Sequence, residues 1–202
     1  MVKVKICGIT NIGDALVAIH SGADALGFVF YEKSPRYISP DEARDIIRQI
    51  PPFVTTVGVF VNEDIGTIRK TVKHASLSVV QLHGSEPPGM CLGISRVIKA
   101  IRVRELSDLE PLRKYKASAF LLDAYAPREY GGTGLIFNWD IAVAAKQFGD
   151  IILAGGLNPD NIEKAVQWVR PYGVDVSSGV EEEKGKKDHV KLRLFVERAK
   201  NA

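Results

Sequence analysis

Short runs of β-branched and aliphatic residues alternate along the chain with stretches whose apolar residues recur at helical spacing. Each run ends in a polar or glycine-containing segment. The runs fall at 2–6, 25–30, 54–60, 79–82, 96–101, 119–122, 150–153 and 173–176, which predicts eight strands. Between them, Ile12, Ala15, Leu16 and Ile19 form one apolar helical stripe, and Ile65, Ile68, Val72 and Ala75 form another. Some helix starts are marked by their capping chemistry. Ser39 precedes Pro40, and Glu42 follows the serine by three residues, the pattern of a capping box with proline in the first turn. Ala43, Ile46, Ile47 and Ile50 supply the buried face that follows. Asn158-Pro159-Asp160 predicts a second start of this kind, with Asn158 as cap, before Ile162, Ala165, Val166 and Val169. The stretch 85–94 reads as a helix whose pattern is broken by Pro87, Pro88 and Gly93.

Regular alternation of strand and helix implies parallel strands joined by crossover helices, at about 25 residues per unit. An open doubly wound sheet that binds a nucleotide carries a glycine fingerprint after its first strand, whereas Cys7-Gly8-Ile9-Thr10-Asn11 fits neither a dinucleotide fingerprint nor a phosphate loop. The expected fold is therefore α/β, a closed (β/α)8 TIM barrel, with residues 1–202 forming a single domain. Such barrels build their sites at the C-terminal ends of the strands, and they commonly hold phosphate after strands seven and eight.

Composition changes this picture little. Of the 202 residues, 46% are hydrophobic and 25% charged, as in an ordinary globular protein. No apolar run approaches the roughly 20 residues needed to cross a bilayer, and the first residues lack the apolar core of a secretory signal, so a cytoplasmic location is expected. Cys7 and Cys91 are too few for a disulfide framework, and no Cys/His spacing matches a structural zinc site, so no metal is expected. The net charge of +3 comes from basic residues interspersed with acidic ones, which argues against nucleic-acid binding.

The strand ends carry the candidate chemistry. A period of two places Lys3, Lys5 and Cys7 opposite Val2, Val4 and Ile6; the aliphatic face belongs against the helices, so Cys7 points inward near the mouth. A packed thiol and a reactive thiol both fit that position. Lys5, one layer below, needs a buried partner, and inward Asp175 on the closing strand is predicted to supply it. Gln81 and His83 share one face at the end of strand four, in a structural or a functional role. Asp123 follows an apolar strand, and the next helix begins only near Asn138, too far away for a capping role, so Asp123 reads as functional. The intervening loop 124–137, with Tyr130-Gly131-Gly132-Thr133-Gly134, is expected to fold over a ligand. Gly155 and Gly156 after strand seven, with Ser178 and Gly179 after strand eight, together resemble a phosphate cradle, although each pair alone would fit an ordinary turn. Arg36, in the loop after strand two, offers a fork for a carboxylate or phosphate, or is an exposed loop charge.

These segments, read in order, resemble the phosphoribosylanthranilate isomerase family over almost the whole chain. The resemblance rests on Lys5-Ile6-Cys7-Gly8-Ile9-Thr10, Ser34-Pro35-Arg36-Tyr37, Val80-Gln81-Leu82-His83-Gly84, Leu121-Leu122-Asp123, Gly131-Gly132-Thr133-Gly134, Gly155-Gly156-Leu157-Asn158-Pro159 and Val174-Asp175-Val176-Ser177-Ser178-Gly179-Val180-Glu181. It implies an Amadori rearrangement of N-(5-phosphoribosyl)anthranilate in tryptophan synthesis, without cofactor or metal. By the same resemblance Cys7 is the general base and Asp123 the general acid. Arg36 binds the anthranilate carboxylate, and Gly155, Gly156, Ser178 and Gly179 hold phosphate, with Asp175 and His83 nearby. Lys5 is expected to favour the Cys7 thiolate. The chain departs from the family at Lys184, where proline is usual, and at Ala124-Tyr125.

Two other functional readings keep the barrel. One is the related phosphoribosyl aminoaldose isomerase of histidine synthesis, whose usual pair of aspartates is at odds with Cys7; the other is a non-catalytic phosphosugar-binding barrel. In both the partner is a small phosphoribosyl molecule. Pro51-Pro52-Phe53 puts a phenylalanine on a stiff loop away from the mouth, a candidate anchor for a homodimer.

Overall fold

The computed structural model describes residues 1–124 and 138–202. In chain order the elements are β1 (Lys3–Cys7), α1 (Ile12–His20), β2 (Ala25–Val29), α2 (Pro40–Ile47), β3 (Thr55–Phe60), α3 (Ile65–Ala75), β4 (Val79–Leu82), α4 (Pro88–Cys91) and β5 (Val97–Val103). A 3₁₀ run (Leu106–Lys114), β6 (Ala119–Ala124), α5 (Trp139–Ala145), β7 (Ile151–Leu153), α6 (Ile162–Val169), β8 (Gly173–Val176), β9 (Glu181–Glu183), β10 (Lys186–Lys187) and α7 (His189–Asn201) follow. Strands β1 to β8 pair in sequence order and in parallel, and β1 closes on β8 with Lys5 opposite Asp175 and Ile6 opposite Val176. The expected (β/α)8 barrel is thus observed, with the small antiparallel β9–β10 sheet added after β8.

Alternation along each strand divides the apolar residues between two cores. Val4, Ile6, Leu26, Phe28, Phe120, Leu122, Val174 and Val176 point outward and join the helices in the main core. Val57, Ile98, Ala100, Ala119, Leu121, Ile152 and Ala154 pack inside the barrel, and Cys7, Val29 and Val59 make a smaller cluster. Most strands therefore read as continuous apolar runs, because both of their faces are covered.

The helix starts show where capping chemistry decides. Ser39 and Glu42 form the expected reciprocal box on α2. Asn158 does not cap α6. Its Oδ1 accepts from the Asp160 N–H at 2.8 Å, Asn161 Oδ1 accepts from the Asn158 N–H at 2.9 Å, and the helix starts at Ile162, so the Asn-Pro pair builds a turn instead. The predicted helix over 85–94 shrinks to the single turn of α4, as its prolines and Gly93 require. After β5, Pro111 removes a donor from the middle of its segment, and the crossover is a 3₁₀ run rather than an α-helix. Strand β6 extends past the apolar run, so Asp123 lies within the strand rather than after it. The glycine-rich segment 131–134, expected to cover a ligand, lies outside the described residues. Among the described residues no helix is long and apolar enough to cross a membrane.

Outside the barrel wall, a fully buried ion pair joins β5 to the segment after β4. Lys99 Nζ donates to Glu86 Oε2 at 2.6 Å and to the Gly84 carbonyl at 2.7 Å, and Glu86 Oε1 accepts from the Asn62 N–H at 2.9 Å. Removing one partner leaves a charge with no water to replace it. Lys99→Ala is expected to lower unfolding free energy by about 3–5 kcal/mol in urea melts, and a loss below about 1 kcal/mol would contradict that role.

Candidate active site

The mouth of the barrel holds a pocket, and its lining includes Cys7, Arg36, His83, Asp123, Gly155, Gly156, Asp175, Ser178 and Gly179, the nine residues to which the family resemblance gives a place in the site. Cys7 ends β1, and Asp123 reaches in from β6, with β7 and β8 between them around the ring.

Beneath the pocket sits the predicted pair: Lys5 Nζ donates to Asp175 Oδ1 at 2.7 Å, with both side chains buried. Burial pulls the Lys5 ammonium down, but Asp175 and the Cys7 sulfur more than offset it, and its pKa is pushed up to about 12. Gly27 makes this arrangement possible. A Cβ there would stand 2.8 Å from Cys7 Sγ and 3.0 Å from Lys5 Nζ.

A second ionic group ties the strand ends together. Glu181 receives Arg36 Nε at 2.8 Å and Nη2 at 2.7 Å, a bidentate fork, and also Lys187 Nζ at 2.9 Å. The same Lys187 ammonium donates to the Cys7 carbonyl at 2.7 Å and to the Ser177 carbonyl at 3.3 Å. Burial pulls the Lys187 ammonium below its ordinary value, with Glu181 opposing. Burial pushes the Glu181 carboxyl up, but Arg36 and Lys187 outweigh it and hold the group below the usual carboxylate range. Arg36 is therefore a braced side chain, not a loose loop charge.

Across the pocket, Gln81 Nε2 lies 2.8 Å from His83 Nδ1, and His83 Nε2 lies 3.3 Å from Asp123 Oδ2. At the remaining edge Gly155 and Gly156 take positive φ values of 80° and 69°, which turn the backbone sharply over the mouth. A Cβ on Gly179 would collide with the Leu157 carbonyl, so the β7 and β8 ends meet backbone to backbone.

Four residues of this site were not singled out from sequence as site residues. The sequence marks Gln81 as an inward polar group beside His83 and gives it no role of its own, although an amide in an apolar strand next to a histidine is itself a signal. Glu181 and Lys187 follow β8 in a segment whose hairpin no pattern announced, and their long-range pairing with Arg36 and Cys7 left no local trace. Gly27 is visible as the one residue without a side chain at an inward position of 25–29. Of the remaining histidines, His189 packs against Asp14 at 2.8 Å and His74 pairs with Asp41 at 2.8 Å. Among the described residues no cluster of His, Cys, Asp or Glu is placed to hold a metal ion.

A thiol and a carboxyl facing one cavity can serve as base and acid. Burial pushes the Cys7 thiol above its ordinary value, opposed by Lys5 and Lys187 and reinforced by Asp175. The expectation that Lys5 favours the thiolate is met in sign, yet desolvation outweighs it. In substrate-free Cys91→Ala protein, alkylation of Cys7 by iodoacetamide is expected to accelerate past the ordinary thiol value of about 8.5, and Lys5→Met is expected to slow it at every pH. A rate that levels off by about pH 8 would contradict this placement of the thiol.

Comparison with known proteins agrees with the site. Residues 4–198 match the model of the N-(5′-phosphoribosyl)anthranilate isomerase family. The N-(5′-phosphoribosyl)anthranilate isomerase of Geobacter metallireducens is 58% identical over 201 residues, covering 99% of this chain and 100% of the relative. The crystal structure of the Thermotoga maritima phosphoribosyl anthranilate isomerase superposes with a TM-score of 0.93 at 47% identity, with full coverage of both chains. A second structure from that organism, of monomers generated from the dimeric phosphoribosylanthranilate isomerase, gives a TM-score of 0.88 at 44% identity, also with full coverage. A phosphoribosyl anthranilate isomerase in complex with reduced 1-(o-carboxyphenylamino)-1-deoxyribulose 5-phosphate gives 0.89 at 45% identity over both full chains. On sequence and structure alike, this chain belongs to the N-(5′-phosphoribosyl)anthranilate isomerase family.

Proposed function

We propose that this barrel isomerises N-(5′-phosphoribosyl)anthranilate with Asp123 as general acid and Cys7 as general base. The observation that carries the reading is the single pocket into which β1 delivers a sulfur and β6 a carboxyl. Asp123 gives its proton to the ribose ring oxygen as the bond from that oxygen to C1 breaks, and the anthranilate nitrogen closes a Schiff base to C1. Cys7, as thiolate, then takes the C2 proton, and the C2–H electrons flow into the C1–C2 bond to give the enolamine. Tautomerisation returns a proton to C1 and leaves the C2 ketone. Arg36, its plane set by Glu181, receives the anthranilate carboxylate. The backbone at Gly155, Gly156, Ser178 and Gly179 receives the phosphate. Asp175 and His83 complete the wall around the sugar.

The mouth-distal face is the natural contact between two copies. Phe53 is 99% exposed there, and with half-exposed Tyr172 it lines one cavity of about 430 Å³ at the starts of the strands. An isologous contact presents this patch to itself, which suits a homodimer.

Cys7→Ala and Asp123→Asn are each expected to lower kcat by roughly 10²- to 10⁴-fold, the usual effect of losing a positioned base or acid. Wild-type turnover by either variant would overturn its assignment. Phe53→Glu is expected to shift the mass measured by light scattering from dimer to monomer while turnover persists. A dimer unaffected by that change, or wild-type protein that stays monomeric at every concentration, would remove this interface.

A further inference from the structure

The amide of Gln81 is fully buried, and among the described residues its Oε1 has no hydrogen-bond partner, while its Nε2 faces His83 Nδ1 at 2.8 Å. Turning the amide over would bring Oε1 to His83 and leave an NH₂ group buried without an acceptor. An orphaned carbonyl is the more tolerable of the two, so the amide donates. Nδ1 of His83 is then an acceptor. In the neutral ring the hydrogen sits on Nε2, which points at Asp123 Oδ2 from 3.3 Å.

We propose that Gln81 and His83 are positioning residues that decide which oxygen of Asp123 carries the transferable proton. With Nε2–H donating, Oδ2 is an acceptor whether the carboxyl is ionised or protonated, and the proton is confined to Oδ1, the oxygen left for the sugar. In the opposite tautomer the Nε2 lone pair would face Oδ2 and hold the acid's proton in an O–H···N bond directed away from substrate. One carboxyl would then keep its place and lose its direction. The arrangement is fixed from several sides: β4 carries Gln81 and leads into His83, whose N–H bonds the Phe60 carbonyl at 2.8 Å, and β5 places Arg102 in register beside Asp123. The inference rests on the reading of Asp123 as the acid, and it assigns a task to the buried amide, which that reading leaves without one.

The decisive measurement is long-range ¹H–¹⁵N NMR on protein labelled at histidine, with the His83 signal identified by its loss in His83→Gln. Wild-type protein is expected to show neutral His83 with its hydrogen on Nε2. Gln81→Glu, whose carboxylate only accepts, is expected to move a hydrogen onto Nδ1. In turnover, Gln81→Glu and the uncharged Gln81→Met should each lose on the order of 10²-fold in kcat with KM held within about twofold. His83→Gln, which keeps an N–H near the Nε2 position, should stay within about tenfold of wild type. Hydrogen on Nδ1 in the wild-type protein would overturn the proposal, as would wild-type kcat in folded Gln81→Met. Should Gln81→Glu fail to fold, the wild-type spectrum and Gln81→Met decide alone. Asp123→Asn with full turnover, alongside the expected spectrum, would instead refute the acid reading and leave the tautomer standing.

Discussion

A lysine ammonium sealed inside a barrel must be neutralised where it stands, and Lys5 imposes that demand two residues below Cys7 on the same face of β1. The alternative, a buried charge with no partner, costs several kcal/mol. Parallel closure of β1 on β8 answers it, because the register that brings Lys5 opposite Asp175 also joins the two ends of the barrel. Barrel closure and site electrostatics are thus one constraint. Gly27 follows from it, since any side chain there would occupy the space shared by the ammonium and the sulfur.

Above this floor the second ionic group works by linkage rather than by contact with the reacting atoms. Lys187 takes the Cys7 and Ser177 carbonyls and Glu181 in a single grasp, and Glu181 passes the constraint on to Arg36. The ends of β1 and β8, the start of β9 and the loop after β2 are thereby referred to the same buried ammonium. On the proposed assignment such bracing has a catalytic meaning, because an acid and a base separated by two intervening strands help only when both stay in register with one small molecule. On the opposite wall a chain of close polar contacts runs from Gln81 through His83 to Asp123.

Much of the fold was legible because a doubly covered strand leaves a continuous apolar run and a crossover helix leaves a stripe. The Lys5–Asp175 pair was legible for a different reason: period two and barrel closure together allow an inward lysine few partners. Asp123 stood out as a carboxylate with no helix near enough to cap. What escaped has a common physical character. Asn158 looks like a cap because a local pattern cannot tell a helix start from the turn before it. Glu181 and Lys187 matter through partners as far as 180 residues away, as Lys187 is from Cys7, whereas Gln81 acts on His83 only two residues on, and what period two leaves unsaid is which polar atom of the pair faces the other. The predominance of desolvation over the Lys5 field at Cys7 depends on how much water the folded mouth admits, which no spacing records.

The proposed meeting of sulfur and carboxyl on one sugar is what the base, acid and tautomer assignments all turn on. It is tested most directly by a crystal structure of this chain with a reduced, unreactive product analogue in the mouth. Cys7 Sγ and an Asp123 carboxyl oxygen are expected on opposite sides of the ribulose chain, each within about 3.5 Å of it. An analogue bound with either group turned away, or seated beyond reach of both, would contradict a shared acid–base site.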